Sequence, residues 1–285
     1  MKIGITGSKG LVGSHLCEKL EAEFSAEILA IPRELLYGDP QKLSDFLTGC
    51  EMIIHLSGAT VVSRWTKKRM SILRDSRILT TQNLSKAIAL LNQKPKLFIS
   101  TSAVGIYNSI DTHTESSTNF ADDFLGHLCK DWEHAALQTQ EYGVRTVIFR
   151  LGVVLSNKGG ILGKVLPVFR LGLGGKIGDG KQAFPFIHIQ DLMNAYVHVI
   201  SNPDSKGVYN MVAPELVTNL DFTKTLSSYV KLPAILPVPS VLIRLIYLGG
   251  ANVLLKGQKV VSERLLSEGF LFENLTLKDS ILSFK

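Results

Sequence analysis

Hydrophobic and polar positions follow two regimes along the first half of the chain. Short, nearly all-apolar runs recur at Lys2–Thr6, Glu27–Ile31, Met52–Leu56, Leu97–Thr101 and Thr146–Leu151. Between them, apolar residues recur every three or four positions over Leu11–Glu23, Lys67–Leu91 and Asp122–Tyr142. The first kind of run reads as a strand buried on both faces, the second as an amphipathic helix. Strands alternating with helices predict an α/β fold, a Rossmann-type doubly wound parallel sheet covered on both faces. Such sheets bind ligands beyond the carboxyl ends of their strands, so functional residues are expected just after each run.

Past residue 151 the pattern changes. Asn157–Gly180 is rich in glycine and reads as a long loop or lid. Asp191 is expected to cap a helix over Leu192–Ile200, Val208–Val212 to form a strand, and Asn219 to cap another helix. From Pro237 the chain reads as a small appended helical unit. The expected division is a nucleotide-binding domain over 1–156 with its sheet completed by about 187–213, a glycine-rich lid and substrate-side segment over 157–236, and a C-terminal helical domain over 237–285. There is no internal repeat.

The first strand runs directly into Gly7-Ser8-Lys9-Gly10-Leu11-Val12-Gly13, and a helix follows. Glycines at this spacing suit a dinucleotide pyrophosphate. The first permits a tight turn, the second lets backbone approach the phosphates, and the third lets helix pack on strand. The helix N-terminus then offers free amides to the phosphate charge. The end of the second strand meets the adenosine ribose, where a carboxylate selects NAD and a cation selects NADP. Arg33 stands there and favours NADP(H); Glu34, one residue on, is the competing NAD reading. After the third strand, Leu56-Ser57-Gly58-Ala59 is small enough to lie along a cofactor, although a plain strand exit explains it as well. Arg74 and Arg77, on the long helix, are read as either solvent-facing or functional. Ser102, just past the central strand, is placed to bond a substrate oxygen, or simply to cap the strand.

Composition narrows the class. The 285 residues are 45% hydrophobic and 20% charged, and the net charge is +6 without a long basic run. This suits anionic small molecules and gives no sign of a nucleic-acid groove. Three scattered cysteines, Cys17, Cys50 and Cys129, have no metal-ligand or disulfide spacing. The apolar stretch Val238–Leu255 is broken by Pro239, Arg244 and Gly249-Gly250, and no secretory leader is evident. The expectation is a cytoplasmic monomer or homodimer acting on a small molecule, with no membrane, metal or nucleic-acid partner.

Further motifs are ordered along the chain: Ser102-Ala103-Val104-Gly105 with Tyr107, Asp131-Trp132-Glu133, Arg150-Leu151-Gly152, Gly159-Gly160, Leu171-Gly172-Leu173-Gly174-Gly175, Ile187-His188-Ile189-Gln190-Asp191, Ala213-Pro214 with Thr218-Asn219, and Gly257-Gln258-Lys259-Val260 with Gly269-Phe270. With the TGxxGxxG turn at Thr6–Gly13, they resemble the extended short-chain dehydrogenase/reductase superfamily. More narrowly, they resemble its NAD(P)-binding "epimerase family" proteins, which carry a small C-terminal domain. The resemblance implies cofactor binding and a serine, matched by Ser102, that orients the substrate. It also implies a Tyr and a Lys four apart on one helix, whose cation lowers the phenol pKa. Alignment on Trp132-Glu133 puts Leu125 and Cys129 at those positions, and no tyrosine in the chain has a lysine four residues later. Lys130 is turned by about 100° from the required face.

Tyr107 is therefore a candidate proton donor beside Ser102. His188 and Asp191 read as a packed strand residue and a helix cap, with a substrate-side role as the alternative. Neither His127 nor His134 shares a helix face with Cys129, which argues against a thiol nucleophile. The expected function is an NADP-dependent oxidoreductase or nucleotide-sugar-type epimerase of a small polar substrate. The alternative is a non-catalytic NADP-binding sensor or scaffold.

Overall fold

A computed structural model describes residues 1–284. Strand β1 (Lys2–Thr6) leads into helix α1 (Leu11–Phe24), followed by β2 (Glu27–Ile31), α2 (Arg33–Leu36), α3 (Pro40–Leu47) and β3 (Met52–His55). Helix α4 (Lys67–Arg74) passes through a π-turn at Asp75–Leu79 into α5 (Thr80–Leu90). Then come β4 (Leu97–Ala103), β5 (Thr112–His113), α6 (Phe124–Leu137), β6 (Arg145–Leu151), β7 (Val153–Ser156), α7 (Gly160–Arg170), β8 (Phe186–His188), α8 (Ile189–Ser201), β9 (Gly207–Met211) and α9 (Asn219–Val230). The tail holds α10 (Ser240–Tyr247), α11 (Asn252–Leu255), β10 (Lys259–Val260), α12 (Glu263–Ser267) and α13 (Leu277–Leu282).

Six strands form one parallel sheet in the order β2-β1-β3-β4-β6-β9. The chain builds outward from β1 to β2, then crosses back to β3. The crevice at that reversal, between β1 and β3, is where open sheets of this kind bind ligands. Each face has its own core. Leu16 and Leu20 of α1 join Leu192, Tyr196 and Val199 of α8 on one side. Leu43 and Leu47 of α3, Leu84 and Ile88 of α5 and Ala136 pack on the other. The apolar runs of the inner strands need no alternation because both faces are buried, whereas the edge strand β2 is only partly covered.

Several local expectations change. The glycine-rich segment is not all loop: α7 spans Gly160–Arg170 with Pro167 inside it. Its Leu162 and Phe169 are buried, so tertiary packing holds a helix whose glycines and proline disfavour it locally. Helix α8 is capped by His188, whose Nδ1 accepts the Gln190 N–H at 3.1 Å, not by Asp191. The Asp191 carboxylate instead accepts the backbone N–H groups of Glu273 and Asn274 at 2.7 and 3.1 Å, pinning the tail. Helix α9 is capped by Thr218 in a reciprocal capping box with Asp221, not by Asn219. Ser102 lies within β4 rather than after it.

The tail is laced to the sheet. Strand β10 pairs in parallel with β5, and the Ser262 hydroxyl lies 2.7 and 2.6 Å from the Asn210 and Val212 carbonyls. Among the described residues, no helix is long and apolar enough to cross a membrane.

Candidate functional site

The turn after β1 is shaped by its glycines. Gly7 has φ +67°, a left-handed conformation that favours glycine, and a Cβ there would come within 3.3 Å of the Leu56–Ser57 backbone. The Gly10 N–H bonds the Gly7 carbonyl at 2.9 Å. Gly10 also stands at the cap of α1, where no side chain satisfies the first-turn amides. A Cβ on Gly13 would sit 2.2 Å from the Gly7 carbonyl oxygen. Helix and turn are therefore in backbone contact.

A cleft of about 600 Å³ opens at the carboxyl ends of β1, β2 and β3. Gly7, Ser8, Lys9 and Gly10 line one side, and Leu56, Ser57, Gly58 and Ala59 another. Arg33 and Glu34 both lie on the wall beyond β2. The Arg33 guanidinium carbon is 5.6 Å from the Tyr37 ring centroid, which leaves a flat exposed cation at the mouth. Leu11, Val12 and Gly13 form the first turn of α1 and do not line the cleft.

Ser76 and Thr80, which the sequence did not single out, also face this cleft. The π-turn brings them there and buries Arg77 behind them. The Ser76 hydroxyl accepts the Ala59 N–H at 3.0 Å, and Arg77 Nη2 donates to the Ala59 carbonyl at 2.9 Å. Arg74 stays exposed, paired with Asp131 at 3.1 Å. The helical period cannot reveal this division, because an inserted π-turn residue shifts every following side chain.

The hydroxyl of Thr6 ties the crevice together. It accepts the N–H groups of Leu56 and Ser57 at 3.0 and 3.1 Å and gives its proton to His55 Nδ1 at 2.8 Å. Burial, with the nearby Arg77 charge, pushes the His55 pKa from 6.5 down to about 3. An unfolded imidazole protonates near 6.5 while the folded one resists, so this contribution is complete above that value and lost as pH falls toward 3. Lowering the pH from 7 to 5 is expected to remove roughly 2 kcal/mol of stability through this group. Urea unfolding at the two pH values should show a His55→Asn variant losing less than the parent by about that amount. Equal losses would refute the assignment.

A second polar cluster is buried deeper. Register places Ser102 of β4 beside Arg150 of β6, and Arg150 beside Asn210 of β9. Glu133 projects onto this row from α6. Ser102 Oγ donates to Glu133 Oε1 at 2.6 Å, and Arg150 Nε and Nη2 donate to its two oxygens at 2.8 and 2.7 Å. Arg150 Nη1 also donates to the Tyr107 hydroxyl at 2.6 Å; that hydroxyl lies 2.9 Å from Asn210 Oδ1 and 3.0 Å from the Thr114 carbonyl. Tyr107 is fully buried, and burial pushes its pKa up. Thus Ser102 and Tyr107 belong to one network, joined through Glu133 and Arg150, and neither lines the cleft. The Asp131-Trp132-Glu133 and Arg150-Leu151-Gly152 motifs were the available signals for the two linking residues.

The remaining candidates are structural in their contacts. The buried Cys129 thiol is pushed up to about 12, chiefly by burial, and stays protonated at neutral pH. His188 stacks on Phe284 at 4.8 Å and meets Ser283 Oγ at 3.0 Å through Nε2.

Comparison with known proteins agrees with this geometry. The sequence model of the NAD dependent epimerase/dehydratase family matches residues 3–212, and that of a domain of unknown function, DUF1731, matches 238–281. An epimerase family protein of Mycobacterium bovis is 34% identical over 291 residues, covering 98% of this chain and 96% of that protein. The crystal structure of human epimerase family protein SDR39U1 with NADPH superposes with a TM-score of 0.91 at 32% identity, covering 100% of this chain and 99% of that one. A structure described as the nucleoside-diphosphate sugar epimerase from Corynebacterium glutamicum is 31% identical with a TM-score of 0.79, covering 99% of this chain and 57% of that longer one. The chain belongs to the NAD dependent epimerase/dehydratase family.

Proposed function

We propose that the protein binds NADP(H) in the cleft at the β1–β3 crevice and acts as an NADP-dependent oxidoreductase or epimerase on a small polar substrate. The observation that carries this reading is the glycine cradle: Gly7, Gly10 and Gly13 bring bare backbone and an uncapped helix N-terminus to one wall. Arg33 stands on the opposite wall, suited to a ribose 2′-phosphate. The relative crystallised with NADPH supports the choice of cofactor. When bound, NADP(H) supplies or accepts a hydride at nicotinamide C4.

In this reading the Ser8–Gly10 backbone holds the pyrophosphate, and Leu56–Ala59 lies along the ribose side. Ser102, past the crevice on β4, orients the reacting substrate oxygen. Tyr107 holds Arg150 against Glu133, which in turn fixes the Ser102 hydroxyl. A substrate oxygen approaching Ser102 would compete for a proton now given to Glu133. Arg150 balances the Glu133 charge while that exchange occurs.

The non-catalytic NADP-binding alternative draws on a specific observation. Leu125 and Cys129 occupy the dyad positions, and Ser102 turns inward to a carboxylate. A turnover screen with reduced and oxidised cofactor over carbonyl compounds and nucleotide sugars separates the two readings.

Cofactor choice is tested by titration. A charge-assisted phosphate contact contributes about 1.5–3 kcal/mol. Arg33→Ala is therefore expected to weaken NADPH about tenfold or more while leaving NADH nearly unchanged. Equal losses for both, or tighter NADH binding by the parent protein, would assign the reading to Glu34.

A further inference from the structure

Two arginines are buried among the described residues, and they are treated differently by their surroundings. Arg150 is paired with Glu133 at 2.7 Å. Arg77, only 8% exposed, has no carboxylate partner among the described residues. Its N–H groups go to main-chain carbonyls, Nη2 to Ala59 at 2.9 Å and Nη1 to Leu73 at 3.3 Å. The face of Trp132 lies 5.2 Å from its guanidinium carbon. These contacts satisfy donors but do not neutralise a charge.

None of the described residues supplies the missing anion at salt-bridge distance. Cys129 remains a thiol, His55 stays neutral at physiological pH, and Arg69 adds positive charge rather than negative. An unpaired buried cation is costly, and proteins retain one where something else compensates it. Position identifies the compensating direction. A Cβ on Gly58 would fall 3.0 Å from Arg77 Nη2, so the guanidinium lies directly behind Gly58-Ala59. Gly58, Ala59 and Ser76 are the cleft wall. Arg77 therefore sits one backbone thickness behind that wall, facing the side opposite the Gly7–Gly10 turn.

We infer that Arg77 is a positioning residue whose buried positive charge is compensated by the diphosphate of a dinucleotide bound in the Gly7–Ala59 cleft. This rests on the cofactor reading above. In the low-dielectric wall its field is little screened, and it reaches a ligand it does not touch. Glycine at 58 permits the close approach. The neighbouring Ser76 bond to the Ala59 N–H fixes the wall from the other side, so both polar groups of Ala59 are held by consecutive residues.

The test separates charge from mere clamping of the loop. NADPH dissociation constants are measured by fluorescence titration for the parent protein, Arg77→Lys, Arg77→Gln and Arg77→Met, alongside ligand-free thermal midpoints. Lysine keeps the charge but loses the guanidinium's paired donors to the Ala59 and Leu73 carbonyls; glutamine and methionine both lose the charge and are too short for the Ala59 bond. Arg77→Gln and Arg77→Met should each weaken NADPH at least tenfold, and Arg77→Lys should stay within about threefold of the parent. The ligand-free midpoint of Arg77→Met should not fall, because the uncompensated charge is gone. Parent-like NADPH binding by Arg77→Gln would overturn the inference outright, and tenfold loss in Arg77→Lys would overturn it in favour of a clamp. Should Arg77→Met fail to fold, Arg77→Gln decides alone. A parent protein that binds neither NADPH nor NADH would instead overturn the cofactor reading itself.

Discussion

Gly13→Ala is expected to abolish measurable NADPH binding and to destabilise the fold. The added methyl would start 2.2 Å from the Gly7 carbonyl oxygen and 2.8 Å from Ser8 Cα. Both obstacles are backbone, so α1 must withdraw from the turn, and overpacking of this kind costs about 1–3 kcal/mol. The displaced helix N-terminus then no longer faces the cleft. Gly10→Val serves as the contrast. Gly10 has φ −75°, which any residue accepts, and a Cβ there meets only the Gly7 carbonyl oxygen, at 3.2 Å. Its side chain points into open space where the pyrophosphate would lie. That variant should still fold, losing about 1 kcal/mol for the poor N-cap and the tight approach to the Gly7 oxygen, yet lose NADPH. Chemical denaturation and NADPH titration of both check the pair. A folded Gly10→Val protein with unchanged affinity would remove the proposed site.

Glu133→Gln is expected to destabilise the fold severely without altering the cleft. Glu133 is buried and accepts from Ser102 and from two nitrogens of Arg150. The substitution is nearly isosteric but leaves the Arg150 guanidinium buried without a counter-charge. Breaking one side of a buried pair costs about 3–5 kcal/mol. Arg150→Met in the same background should restore part of that loss, since an apolar replacement of both partners is often neutral. The readout is urea denaturation of both single variants and the double variant. A loss below about 1 kcal/mol in Glu133→Gln would show that the Tyr107 hydroxyl and the amide oxygen left at position 133 hold Arg150 without the carboxylate charge.

Much of the fold was legible because its signals are local. The apolar runs at Lys2–Thr6 and Leu97–Thr101 are continuous because both sheet faces are covered, and that property is written in consecutive residues; Glu27–Ile31, at the sheet edge, is only partly covered. The glycine turn was equally plain, since tight backbone approach excludes every side chain. Helix α7 was less legible. Gly160, Gly163 and Pro167 argue for loop, and only the packing of Leu162 and Phe169 against the sheet-side core explains the helix. Capping partners moved by one to three residues, from Asp191 to His188 and from Asn219 to Thr218.

The sequence by itself determined the five strand runs and three long helices of the first half, the parallel sheet and the glycine cradle, because each follows from neighbours in the chain. Only the tertiary structure decided which charges meet. Ser102, Glu133 and Arg150 come from three separate elements, and no spacing in the chain announces that they converge. The π-turn placed Arg77 beneath the cleft wall, while Arg74, just before it, stays at the surface against Asp131, although they are three residues apart on one helical pattern. Side-chain direction after an irregular turn, and pairing across strands distant in sequence, are set by packing of the whole chain rather than by local preference.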